Sequence, residues 1–119
     1  MSSASEHNAA MLYKFKFKSK AAGDLIMLEA NGQRMLEIIG KDAGPTGIIL
    51  AAQMQAAMDA LNQAVAAEEV QRQAALDQAR AENKTPPRFE AVSLRQRAHP
   101  FIEMLRRCQQ AGADIVWGV

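Results

Sequence analysis

A single cysteine, Cys108, in a chain of 119 residues excludes an intrachain disulfide and any all-cysteine zinc site. Aromatic residues are scarce, at 5%, while alanine and methionine are plentiful, a balance that suits helix packing better than a β-sandwich. Neither sign of charge prevails. The 14 basic residues nearly cancel the 13 acidic ones, so no global field points to nucleic acid or to an acidic substrate. The apolar runs fall far short of a bilayer span, so no membrane association is expected. With no charged-then-apolar leader, a cytoplasmic location is expected. Catalytic signatures are missing as well. One domain is expected, burying roughly two-thirds of its unfolded surface.

What is present centres on residues 24–41. Met35, Leu36 and Ile39, with Gly32 and Leu28 behind them, recur at helical spacing. Arg34 and Lys41 lie toward the carboxyl end, where the helix dipole favours cations, and Gly40 can take the left-handed conformation that closes a helix. The rival reading is a hairpin about Asn31-Gly32. Residues 35–39 do not alternate in steps of two, and Leu, Met and Glu favour helix, so a helix over 30–39 is preferred. Residues 24–28 are then either its first turns, capped by Asp24, or a short buried strand.

Several separated motifs carry a resemblance. They are Lys18-Ser-Lys-Ala-Ala-Gly-Asp-Leu-Ile-Met-Leu28, Leu36-Glu-Ile-Ile-Gly-Lys41, Gly47-Ile-Ile49, Val92-Ser-Leu-Arg-Gln-Arg-Ala98 and Ile115-Val-Trp117. Together they resemble a family of small bacterial proteins, the domain of unknown function 1840, over about residues 11–119. The resemblance implies no activity, cofactor or catalytic residue. The opening from Tyr13 to Lys20 is two residues longer than the family's Tyr-Lys-Phe-Lys-Ser-Lys, which leaves the register of the first strand open.

Residues 1–10 contain no large apolar residue after Met1 and are expected to form a disordered tail with His7 exposed, so the folded domain is 11–119. Residues 12–18 alternate strictly, Tyr13, Phe15 and Phe17 facing the core and Lys14, Lys16 and Lys18 facing water. The lysine row invites a phosphate-binding reading; the simpler account is that lysines keep a solvated strand from pairing with other chains. Gly40-Lys41 lacks the G-x-x-x-x-G-K-[ST] pattern and follows a helix instead of a strand, which argues against a nucleotide loop. Residues 47–50 read as extended.

A second helix, over 51–67, carries Met54, Met58, Leu61 and Val65 at core spacing. Residues 68–83 can remain helical by propensity, but they offer little to bury. Paired prolines at 86 and 87 stop them, and 68–91 reads as a protruding insertion. A third helix, over 93–111, opens on the capping box of Ser93 and Gln96 and buries Leu94, Ala98, Phe101, Ile102, Leu105 and Cys108. Pro100 either kinks it or starts a fresh helix. Cys108 on the buried face reads as a small hydrophobe. Residues 114–118 read as a strand buried on both sides.

The fold class expected is α+β, three helices packed on a small sheet that includes the N-terminal and C-terminal strands, with 25–28 or 47–50 as possible additions. The only polar constellation lies on the third helix. His99 and Glu103 could act as a base and its orienter, and Glu103 with Arg107 could instead be an ordinary ion pair. Arg95, Arg106, Lys20 and Asp24 are the candidate ligand-binding groups for a small anion. Ser19 or Ser93 could complete a Ser-His-acid set, although Ser93 is better explained as a cap. No metal site and no cofactor are expected.

Three functions follow. The first is a non-enzymatic interaction or regulatory module acting on a protein partner through helical surfaces. The second is a small enzyme or anion binder on the third-helix flank. The third is weak nucleic-acid binding by the lysine strand, which the balanced charge disfavours. Open sheet edges and the methionine helix also suggest a homodimer.

Overall fold

Alternation and pairing set the sheet. The computed structural model describes residues 14–119. The expected tail at 1–10, with His7, and Tyr13 lie outside the described residues. Strand β1 (Lys14–Lys18) pairs antiparallel with β2 (Leu25–Leu28) through Lys14–Leu28, Phe15–Met27, Lys16–Ile26 and Phe17–Leu25. On its other side β1 meets β4 (Ile115–Trp117), which also pairs with β3 (Gly47–Ile49), giving the order β2-β1-β4-β3, antiparallel throughout. The N-terminal and C-terminal strands are therefore neighbours, and both 25–28 and 47–49 join them.

Pairing also decides the faces. Phe17, Ile49, Ile115 and Trp117 are buried on one side, where Phe15, Leu25 and Met27 pack partly against them. Phe17 sits at the centre of this core, its ring 4.8 Å from Phe101, 5.2 Å from Phe15 and 6.0 Å from Trp117 between centroids. That settles the register of the lengthened opening: Phe17 takes the innermost place. Strand β4 is not buried on both sides, since Val116 is half-exposed on the outer face.

Helix α1 (Glu29–Ile38) starts directly after β2. Residues 24–28 are thus strand, and Leu28, expected behind the helix, is an exposed residue of β2. Asp24 caps nothing; the cap position belongs to Leu28, with no side-chain cap. Asn31-Gly32 lies inside the helix and makes no hairpin. Gly40, at φ +80°, closes it: the Gly40 and Lys41 amides donate to the Glu37 and Leu36 carbonyls at 3.1 and 2.8 Å.

A 3-10 turn at Ala51–Gln53 leads into α2 (Met54–Ala81), which extends well past residue 67. Met54, Met58, Leu61 and Val65 are core; beyond them only Ala79 is buried on this helix. The distal half is held by alanine-rich propensity and by pairs four apart, Glu68 with Arg72 at 3.2 Å and Gln73 with Asp77 at 2.9 Å. Residues 82–92 are exposed, with Phe89 under the Arg72 guanidinium at 4.9 Å.

Helix α3 (Leu94–Ala111) is continuous through the exposed Pro100, so no fresh helix begins there. Both halves of its capping box form, a feature worth about 1 kcal/mol, and Gly112 at φ +66° ends it. Its buried face includes Met104 as well as the expected residues. The three described helices lie on the aromatic side of the sheet, and among the described residues no helix layers the lysine side.

Candidate functional site

The polar flank of α3 does not converge. Arg95 reaches across to α2, its Nε and Nη2 donating to the Glu69 carboxylate at 2.7 and 2.9 Å, a bidentate pair. Glu103 pairs with Arg106 and not with Arg107. His99 is exposed, and among the described residues no hydrogen bond or ion pair joins it to Glu103. A base and orienter at these positions is therefore not assembled. Ser93 is occupied as a cap. Ser19 Oγ receives the Cys108 thiol at 3.2 Å and the Ala21 amide at 3.3 Å, and among the described residues neither serine is hydrogen-bonded to His99. Cys108 is fully buried, as a small hydrophobe should be.

Asp24 and Glu103 do share a shallow depression of about 180 Å³, together with Arg107 and Pro100. Two carboxylates against one guanidinium give the wrong balance for an anion, and Lys20 and Arg95 do not line it. Among the described residues no group of three or more His, Cys, Asp or Glu side chains could hold a metal ion.

The Arg95–Glu69 pair has a measurable consequence. The Arg95 hydrogen bond holds the Glu69 carboxyl below its ordinary value, aided by the guanidinium charge and opposed by desolvation. Because the folded value is the depressed one, the pair stabilises the fold above the unfolded carboxylate value, and this is lost as pH falls through the folded one. A carboxyl NMR titration is expected to place Glu69 at a lower midpoint than in the Arg95→Gln variant. Equal midpoints would show the pair absent in solution.

The larger cavity lies elsewhere. A cleft of about 560 Å³ opens between β1, the start of α1, the 43–45 loop and the chain's last residues. Lys14, Lys16 and Lys18 line it with Phe15 and Trp117, and Glu29 and Gln33 enter from α1. Glu29 accepts a hydrogen bond from Gln33 at 3.1 Å, Trp117 Nε1 donates to the Gly44 carbonyl at 3.0 Å, and Lys18 Nζ to the Val119 carbonyl at 3.0 Å. In the sequence its only trace is the lysine row; its walls come from four distant segments.

Beside this cleft lies the face of the sheet that no described helix covers. Lys14, Lys16 and Lys18 run down its middle, with Ile26 and Leu28 on the β2 side and Val116 and Ile48 on the other. Ile26 is 51% exposed, Leu28 52% and Ile48 42%. Among the described residues no carboxylate lies within ion-pair distance of Lys14 or Lys16. Nor is any described helix long and apolar enough to cross a membrane.

No curated protein and no solved structure matches this chain. The motifs that pack β1, β2, α1, β3, the start of α3 and β4 together do fall within one family profile, matched over residues 11–117, and the chain belongs to that family, the domain of unknown function DUF1840.

Proposed function

We propose that the protein is a non-enzymatic protein-interaction module, and that it engages its partner through the uncovered face of the sheet. The observation that carries this reading is the exposure of Ile26, Leu28 and Ile48 on a sheet that the described residues layer on one side only. Aliphatic side chains grouped on an open face are a mark of association. The lysine row between them selects the partner's chemistry: acidic side chains flanked by apolar ones.

A second copy of the chain fits this face poorly, because two such faces would oppose their ammonium rows. The methionine stripe offers no alternative surface, since Met54 and Met58 are core. Nucleic acid is also a poor fit. Single strands are held by aromatic platforms, and here Phe15 and Phe17 face the core while aliphatics face out.

Site-specific photo-crosslinking in cells tests the reading. A benzophenone side chain at Ile26 or Ile48 is expected to trap a discrete protein, and one at the exposed Asn62 of α2 is not. Lys14→Glu with Lys16→Glu is expected to weaken that capture at least about tenfold, as reversing interfacial charges does. Crosslinks from Asn62 alone would sink the proposal. A product at twice the chain's mass would replace the partner by a homodimer.

A further inference from the structure

The cleft exists because the sheet is split. Strand β1 pairs with β2 over four residues but with β4 over two, Phe17–Trp117 and Lys18–Val116. Gly118 ends the second ladder. Its φ is +74°, and a side chain there would run into the Pro45 carbonyl, so the chain turns out of the sheet beside the 43–45 loop. Among the described residues the β4-facing edge of residues 14–16 has no strand partner, and the space becomes the cleft.

Its lining is chemically selective. Lys14 and Lys16 bring ammonium groups with no ion-pair partner among the described residues, Lys18 being bonded to the Val119 carbonyl, and the one acidic side chain, Glu29, is already engaged by Gln33. The half-buried Phe15 supplies an aromatic wall, backed by the buried Trp117 with its ring 6.3 Å away. The Trp117 N–H is committed to Gly44, so the indole offers no donor to the cleft. The volume falls in the range of small-molecule sites, roughly 300–1,000 Å³, and here the wall is more polar than apolar.

We infer that this cleft binds a small organic anion, a carboxylate or phosphate ester carried on a flat apolar body. The anion lies against Lys14 and Lys16, and the body against Phe15, in front of the Trp117 ring. The inference does not rest on the sheet-face reading. It shares two lysines with it, but a small-molecule probe read at Trp117 reports on the cleft alone.

Trp117 is the chain's only tryptophan, so its emission and its indole N–H resonance are unambiguous reporters. With the full chain, phenyl phosphate and phthalate are the two probes, and phenol and inorganic phosphate the controls lacking charge or ring. One or both probes are expected to shift the Trp117 signals saturably, and whichever binds tighter identifies the phosphate or the carboxylate class. Lys14→Gln with Lys16→Gln is expected to weaken binding at least about tenfold, the scale of one lost charge-assisted hydrogen bond. Both lysines are exposed, so an unchanged Tm confirms that the variant folds. Lys20→Gln, outside the cleft, is expected to bind as the unaltered chain does. No saturable shift at millimolar probe would overturn the inference. So would a shift indifferent to Lys14 and Lys16, or phenol or inorganic phosphate binding as tightly as the probes.

Discussion

Phe17→Ala is expected to lower the unfolding free energy by about 3–5 kcal/mol, the usual cost of truncating a buried phenylalanine. Phe17 is fully buried and packs against Phe15, Trp117 and Phe101, so it joins β1, β4 and α3 in one cluster. Removing the ring leaves a cavity walled by three other aromatics, which are too rigid to collapse into it. Domains of this kind are stable by roughly 5–15 kcal/mol, so the loss is a large share of the whole. Urea unfolding should show a lower midpoint with an unchanged slope. Phe15→Ala, at a half-buried position, is expected to lose clearly less. The reverse order would mean that the lengthened opening is shifted by two residues, with Phe15 in the innermost place.

Gly47→Ala is expected to destabilise by about 2–3 kcal/mol, unusually much for one added methyl group. Gly47 lies directly opposite Trp117 in the β3–β4 pair, and a Cβ there would overlap the six-membered ring of the indole. The indole has little room to yield, because its N–H is bonded to Gly44 and its ring packs against Phe15 and Phe17. Trp117→Phe takes away the ring carbons that would be struck, at the expense of the Gly44 hydrogen bond and some packing. The double variant Gly47→Ala, Trp117→Phe should therefore be more stable than the two single losses predict, by at least about 1 kcal/mol of coupling. Strict additivity in chemical denaturation would show that glycine at 47 is not required by the indole.

Much of the architecture was legible because it rests on local physics. The alternation of Phe and Lys at 14–18 defines a strand with two unlike faces. Ser93 with Gln96, Gly40 and Gly112 mark helix ends by bonds made within a few residues. The apolar stripe of Met54, Met58, Leu61 and Val65 needs only a helical period to become a core face.

Other features had no local signal. Leu25-Ile-Met-Leu28 is apolar at every position, so only pairing with β1 turns Leu25 and Met27 inward and Ile26 and Leu28 outward. Helix α1 starts without a polar cap, so its beginning could not be read from residue types. On α3 both Arg106 and Arg107 are within helical reach of Glu103, and spacing does not choose between them. Arg95 finds Glu69 across 26 positions of chain. No motif encodes that meeting.

Residue order alone is enough for the class of fold, the faces of β1 and α2, the stops at Gly40 and Gly112, and the burial of Cys108. Each follows from a period, a cap or a steric allowance that operates over a few neighbouring residues. Tertiary packing alone set the strand order, the Arg95–Glu69 ion pair, the bare apolar-and-lysine face and the cleft beside Trp117. These join residues far apart along the chain, and such meetings depend on how whole elements pack, which no short window of sequence contains.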